Sequence, residues 1–272
     1  IIMIHRCLVL LFVALLPQSS RGHFFWAETD QMDNHVDVTF SEKAGVPDKV
    51  ISIMEGRVTK VIYITEPTNI VDVNVALNED KTVLEGDLPQ SEGGPAMVAG
   101  YLDFGPFMNF KDLEYSFGAQ IYRSEADYDE FFVPLLQKSD KPLIVMRNCG
   151  GNKGTSYQFA VGGFPQEGTL GVCIYQKGGF EIGCGDFHSH QLEEDMETTS
   201  VVGRALRRGN VPKNLSIEIS PAVLEEIQQG DNNYTNPTIF YAIANKTIAD
   251  EASTDVSIAF ASTSVYFGGP CK

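Results

Sequence analysis

The residues best suited to chemistry are histidines, and they fall in two groups. In SSRGHFFWAETD, residues 19–30, His23 directly follows Gly22. Ser20 and Gly22 put small residues at the −3 and −1 positions of a signal-peptidase cut before His23. A chain that starts at His23 offers one ion two nitrogens from a single residue, its terminal amine and its imidazole. Such donors suit Cu, Ni and Zn, with Cu held most tightly by the general affinity order. The second group lies in GCGDFHSHQLEEDME. There His188 and His190 stand two apart, so on a strand both rings point to the same side. Asp186, Glu193, Glu194 and Asp195 surround them. His-x-His on a strand is a metal-ligand spacing, and the competing reading is a solvated acidic loop. His23, His188 and His190 are therefore the candidate metal ligands. His35 ranks below them, because at the edge of the alternating run HVDVTF a solvent-facing role is enough to account for it.

The stretch before His23 decides whether that amine is ever exposed. Met3 reads as the start, His5 and Arg6 as a short polar n-region, and CLVLLFVALL, residues 7–16, as the apolar segment of a leader. Spanning a bilayer takes about 20 apolar residues, which this run does not supply. Residues 1–22 are thus expected to be a signal peptide, and the protein to be secreted with no membrane insertion after the cut. Removal of Arg6 and Arg21 would leave 250 residues with 18 basic and 36 acidic side chains, a net charge of −18. So acidic a chain repels nucleic acid and anionic membranes. A hydrophobic fraction of 43% shows that the charge does not come from disorder.

Cysteines and sequons agree with export. Cys7 leaves with the leader, and Cys149, Cys173, Cys184 and Cys271 remain, which allows two disulfides in three connectivities. Geometry prefers one of them. LGVCIYQ and FEIGCGD flank Lys177-Gly178-Gly179, and a two-residue Gly178-Gly179 turn would set Cys173 directly opposite Cys184. Directly opposed residues are close enough for a disulfide, leaving Cys149 for Cys271. Asn214, Asn233 and Asn245 each open an N-x-Ser/Thr triplet, the acceptor of N-linked glycans.

The elements that must position these groups are strands. HVDVTF, RVTKVIYIT, MVAGYLDFG, LEYSFGAQIYR, LIVMRNC, SYQFAVGG and VSIAFASTSVYF are short runs rich in β-branched and aromatic residues. Two helical stretches stand out: PDKVISIME from Pro47, with Val50, Ile51 and Met54 on one face, and SPAVLEEIQQG at 220–230 with Ser220 as its cap. The pattern predicts an all-β protein of two β-sandwich (immunoglobulin-like) domains with a few short helices, at 23–125 and 143–272. The polar segment 124–142 reads as the connector between them. Trp26, the sole tryptophan, reads as core rather than as a substrate platform.

The order of segments carries a resemblance. His23-Phe24-Phe25-Trp26-Ala27-Glu28 opens it, followed by a strand ending in Phe40-Ser41-Glu42, a short helix from Pro47, a strand, a glycine strand with Asp103-Phe104-Gly105, and the aromatic strand LEYSFGAQIY. Over residues 23–125 this resembles the mostly bacterial exported family labelled periplasmic nickel- or cobalt-uptake component (NikM-like). The resemblance implies an all-β fold and a metal-linked role. The disulfides, the sequons and the C-terminal half depart from the family pattern.

Enzyme signatures are few. No Gly-x-Ser-x-Gly elbow occurs, and GGNKG at 150–154 lacks the Lys-Ser/Thr of a phosphate-binding loop. The function expected from sequence is a secreted divalent transition-metal-binding protein, for uptake, delivery or storage. An alternative is a copper-dependent polysaccharide monooxygenase-like enzyme, in which His23 and one further histidine would brace the metal. A further alternative is a structural or adhesive extracellular glycoprotein without metal, its protein or polysaccharide partner open.

Overall fold

A computed structural model of the chain describes residues 24–30, 34–54, 60–66, 68–90, 93–107, 110–147, 156–165, 169–187, 213–218, 238–249 and 256–267. In chain order the strands begin with β1 (Phe24–Asp30), β2 (His35–Ser41), β3 (Lys60–Glu66), β4 (Asn69–Asp72), β5 (Ala76–Leu77) and β6 (Leu84–Asp87). They continue with β7 (Ala96–Phe107), β8 (Phe110–Ile121), β9 (Leu143–Met146), β10 (Ser156–Gly162) and β11 (Thr169–Gln176). The last four are β12 (Phe180–Phe187), β13 (Lys213–Glu218), β14 (Thr238–Ala249) and β15 (Val256–Phe267).

These strands make three sheets, none of them closed into a barrel, and the fold is all-β. The central sheet has eight strands in the order β12-β11-β14-β15-β8-β7-β3-β4. One face is covered by the sheet β1-β2-β6-β5, the other by the sheet β13-β10-β9. Neighbours in the central sheet are antiparallel except β15 and β8, which run parallel. Segments 23–125 and 143–272 each contribute four strands to this sheet, and β8 and β15 form the seam between them.

Alternation explains the first layer. On β2, Val36, Val38 and Phe40 are buried, and on β1 so are Phe25 and Ala27. They pack on Phe117, Ala119 and Tyr115 of β8, with the Phe25 and Phe117 rings edge-on at 4.8 Å. Strand β1 is an edge of its own sheet, which leaves backbone groups to satisfy. Two buried hydroxyls of β15 supply partners: Ser262 donates to the Phe25 carbonyl, and Ser264 to the Ala27 carbonyl at 2.5 Å. On the opposite face Ala242, Ala244 and Ala261 present small side chains beneath Ile144 and Met146 of β9.

Three local expectations are corrected. Segment 124–142 is a packed cover, not a bare connector. A π turn, Tyr128–Phe132, runs into helix α1, Val133–Lys138, and Tyr128, Phe132, Leu135 and Leu136 are buried against the central sheet. The Asp127 carboxylate starts it by accepting the Arg123 and Ser124 backbone N–H groups at 2.6 and 2.8 Å. The helix expected from Pro47 is a 3-10 turn, Lys49–Met54. Asp48 anchors it, accepting the Val50 N–H at 2.7 Å and the Ser41 hydroxyl at 2.8 Å, and Ile51 is fully buried.

The β11–β12 hairpin holds the third correction. Its loop is the three residues Lys177-Gly178-Gly179, with Gln176 opposite Phe180. A register shift between Ile174 and Tyr175 then absorbs one residue, so that Cys173 still faces Cys184. Gly178 and Gly179 both have positive φ, 99° and 85°, a geometry that side chains resist. The expected helix at 220–230 and the leader at 1–22 lie outside the described residues.

Candidate functional site

The residues that converge on a ligating arrangement are on β2 and β6. Inward Val36 and Val38 force their neighbours His35 and Asp37 onto the outer face of the four-stranded sheet. Strand β6 pairs antiparallel with β2, His35 opposite Asp87 and Asp37 opposite Glu85. The four side chains therefore share the outer face as a two-by-two block. His35 Nε2 is 3.1 Å from Asp37 Oδ1, and its Nδ1 is 3.8 Å from Asp87 Oδ1. One ligand atom each of His35, Asp37 and Glu85 lies within 4.8 Å of the others. The block is open to water: His35 and Asp37 side chains are 37% and 43% exposed.

Among the described residues this block is a candidate cation site. Imidazole nitrogen with carboxylate oxygens suits borderline cations such as Zn and Ni better than it suits Cu(I). With a carboxylate beside each ring nitrogen, one nitrogen can take an ion while the other is held in place. Metal-bound histidines are commonly oriented in that way.

His23, His188 and His190 lie outside the described residues. Phe24, bonded to His23, pairs with Ser41, while His35 pairs with Asp30 at the other end of β1. Six strand positions span about 20 Å, so Phe24 and His35 stand at opposite ends of the β1–β2 pair. Phe187, bonded to His188, pairs with Leu170, whereas the Phe24 ring meets Tyr175 at 5.5 Å. Phe24 and Phe187 thus stand at opposite ends of β11.

A second polar cluster is structural. Trp26 is 1% exposed and meets Tyr241 edge-on at 5.7 Å, as core. Its Nε1 donates to Glu28 Oε1 at 3.3 Å, and the Tyr241 hydroxyl donates to the same oxygen. Lys177 Nζ donates to Glu28 Oε2 at 2.7 Å. Glu28 thereby clasps β1 to β14 and to the tip of the β11–β12 hairpin.

Cys173 and Cys184 are joined in a disulfide with Cα atoms 4.1 Å apart. Their thiolates are consumed, so the nearby Glu181 gains no sulfur partner for a cation. Cys149 and Cys271 lie outside the described residues, as does Asn233. Asn214 is on β13 and Asn245 on β14. No helix among the described residues is long and apolar enough to cross a membrane.

Beside Asp37 on its own strand, the neighbours of His35 are Glu85 and Asp87, about 50 positions away on β6, a proximity that no local pattern around His35 encodes. In the sequence LEGD shows only an alternating acid pair, which the pairing of β2 with β6 brings to the histidine. No family model and no curated protein matches the chain. Among solved structures it is similar, at 12% identity and a TM-score of 0.21, to the BSP domain of a biofilm associated protein. The alignment covers 91% of this chain and 29% of that one, so the chain spans less than a third of that structure's length.

Proposed function

We propose that this is a secreted, glycosylated, disulfide-bonded all-β protein that binds a divalent transition metal for uptake, delivery or storage. The His35–Asp37–Glu85 block is its described ligand set. The observation that carries the reading is the cross-strand register of β2 and β6, which places an imidazole and two carboxylates within 4.8 Å. The Cys173–Cys184 disulfide supports an oxidising compartment. The nickel- or cobalt-uptake resemblance over 23–125 covers these same two strands. A terminal site at His23, with His188 and His190 as further ligands, is a separate proposal.

The test is equilibrium binding of Zn(II), Ni(II) and Cu(II) to the full chain and to His35→Ala, Glu85→Gln and His23→Ala. Loss of one ligand from the block should weaken Zn(II) or Ni(II) binding about tenfold or more, with His23→Ala leaving that site unchanged. Identical affinities in native, His35→Ala and Glu85→Gln protein would sink the β2–β6 site.

A further inference from the structure

The face of the central sheet that carries β1 is not covered along its whole length. Cross-strand pairing lays its side chains out in rows. One row runs Cys184, Cys173, Ile243, Ser262, Phe117, and its far end lies under β1. The next runs Asp186, Gly171, Asn245, Phe260, Tyr115, and a third runs Thr169, Thr247, Ile258, Leu113. In these outer rows Asp186, Asn245 and Thr247 are exposed and Ile258 and Phe260 half-buried. The result is an open strip with two large apolar side chains along one border.

Asn245 stands in the middle of that strip and opens the triplet Asn245-Lys246-Thr247. Two residues apart on a strand, Asn245 and Thr247 share the outer face, while Lys246 between them is buried on the other side. Across the pair stands Gly171. A Cβ there would come within 2.9 Å of Asn245 Oδ1 and 3.2 Å of Asp186 Oδ1. The glycine therefore leaves a notch into which the Asn245 amide leans, in a strand whose other positions carry side chains.

We infer that Asn245 carries an N-linked glycan whose first sugars lie over this strip and shield Phe260 and Ile258. The inference rests on the extracellular reading above. The amide nitrogen of Asn245 bonds to the anomeric carbon of a polyprenyl-diphosphate oligosaccharide. The anomeric C–O bond breaks, the diphosphate leaves with its electron pair, and the nitrogen gives up one proton. Transfer occurs on the unfolded chain, and the folded sheet accepts the product because the modified residue faces water.

The experiment secretes the full chain from a eukaryotic host. Glycosidase release in heavy-oxygen water then marks each formerly modified asparagine as a heavy aspartate in peptide mass spectra. Hydroxyl-radical footprinting follows Phe260 in the glycosylated protein and in Thr247→Ala and Asn245→Gln. Heavy aspartate at 245 and a several-fold rise in Phe260 labelling in both variants, with Ile70 labelling constant, is the expected result. Modification at Asn214 or Asn233 but not at Asn245 overturns this inference and leaves the extracellular reading standing. No modification at any triplet overturns both. A modified Asn245 with Phe260 labelled equally in all three proteins overturns the shielding.

Discussion

Replacing Gln120 with leucine tests the joint between the central sheet and the small sheet β13-β10-β9. Gln120 is 1% exposed on β8. Its Oε1 accepts the Met146 backbone N–H at 2.8 Å and the Thr263 hydroxyl at 2.9 Å, and its Nε2 donates to the Tyr122 hydroxyl at 3.1 Å. Tyr122 in turn donates to the Met146 carbonyl at 2.8 Å. Both backbone groups of Met146 on the edge strand β9 are thus satisfied by side chains of β8 and its continuation. Leucine keeps the volume and removes the acceptor, which orphans one buried backbone N–H and one buried hydroxyl. Each orphan costs about 1–3 kcal/mol, and the buried leucine offsets part, so the net loss should be about 3 kcal/mol. Against a usual stability of about 5–15 kcal/mol that is large. Denaturant unfolding with an unchanged slope would read it. Thr263→Val removes one of the two orphans in advance, so the double variant should be less destabilised than the sum by about 1 kcal/mol. A Gln120→Leu loss below about 1 kcal/mol, or strict additivity, would refute the network.

Two further outcomes follow from the same structure. Exchanging Cys173 and Cys184 together for alanine opens a loop of sequence separation 11 and should lower stability by about 3 kcal/mol in the chain-entropy account, measured by the same unfolding assay. Burial pushes the Tyr115 hydroxyl up to about 12 and raises Tyr122 and Tyr128 as well, so these tyrosines stay neutral in the fold where an unfolded chain would ionise. Their contribution is complete below about pH 10 and is lost as pH rises toward 12. At about 1.4 kcal/mol per unit, Tyr115 alone accounts for some 2–3 kcal/mol, so a stability that stays flat across that range would contradict the burial.

Legibility from sequence followed how local each cause was. The all-β class was readable because β2, β3, β7, β8 and β15 carry their hydrophobic pattern within one strand. The disulfide was readable because both cysteines belong to one hairpin, and a bulge compensated for the misjudged turn. Strand β14 was missed: covered on both faces over much of its length, it shows Ala242, Ala244 and a buried Lys246 rather than clean alternation. The parallel seam of β8 with β15 joins residues some 150 positions apart, and no short-range pattern encodes such a pairing. Segment 124–142 misled because its acids lead the eye, while Tyr128, Phe131, Phe132, Leu135 and Leu136 recur on one side of the turn and helix.

The His35–Asp37–Glu85 block inherits its geometry from the cores beneath it, and this bears on how its variants behave. On β2 the inward set is Val36, Val38 and Phe40; on β6 it is Leu84, directly opposite Val38, with Gly86 opposite Val36. Gly86 is held to glycine because a Cβ would stand 2.4 Å from the Asn74 carbonyl oxygen. A slip of either strand by one residue would turn its apolar set to water and drive charged groups toward Phe117 and Leu102. The register is therefore fixed from the buried side, with no help required from His35, Asp37, Glu85 or Asp87. Surface ion pairs of this exposure contribute at most about 1 kcal/mol to stability. Removing His35 or neutralising Glu85 should accordingly leave the sheet intact, so a change in cation affinity would report a lost ligand rather than a lost fold.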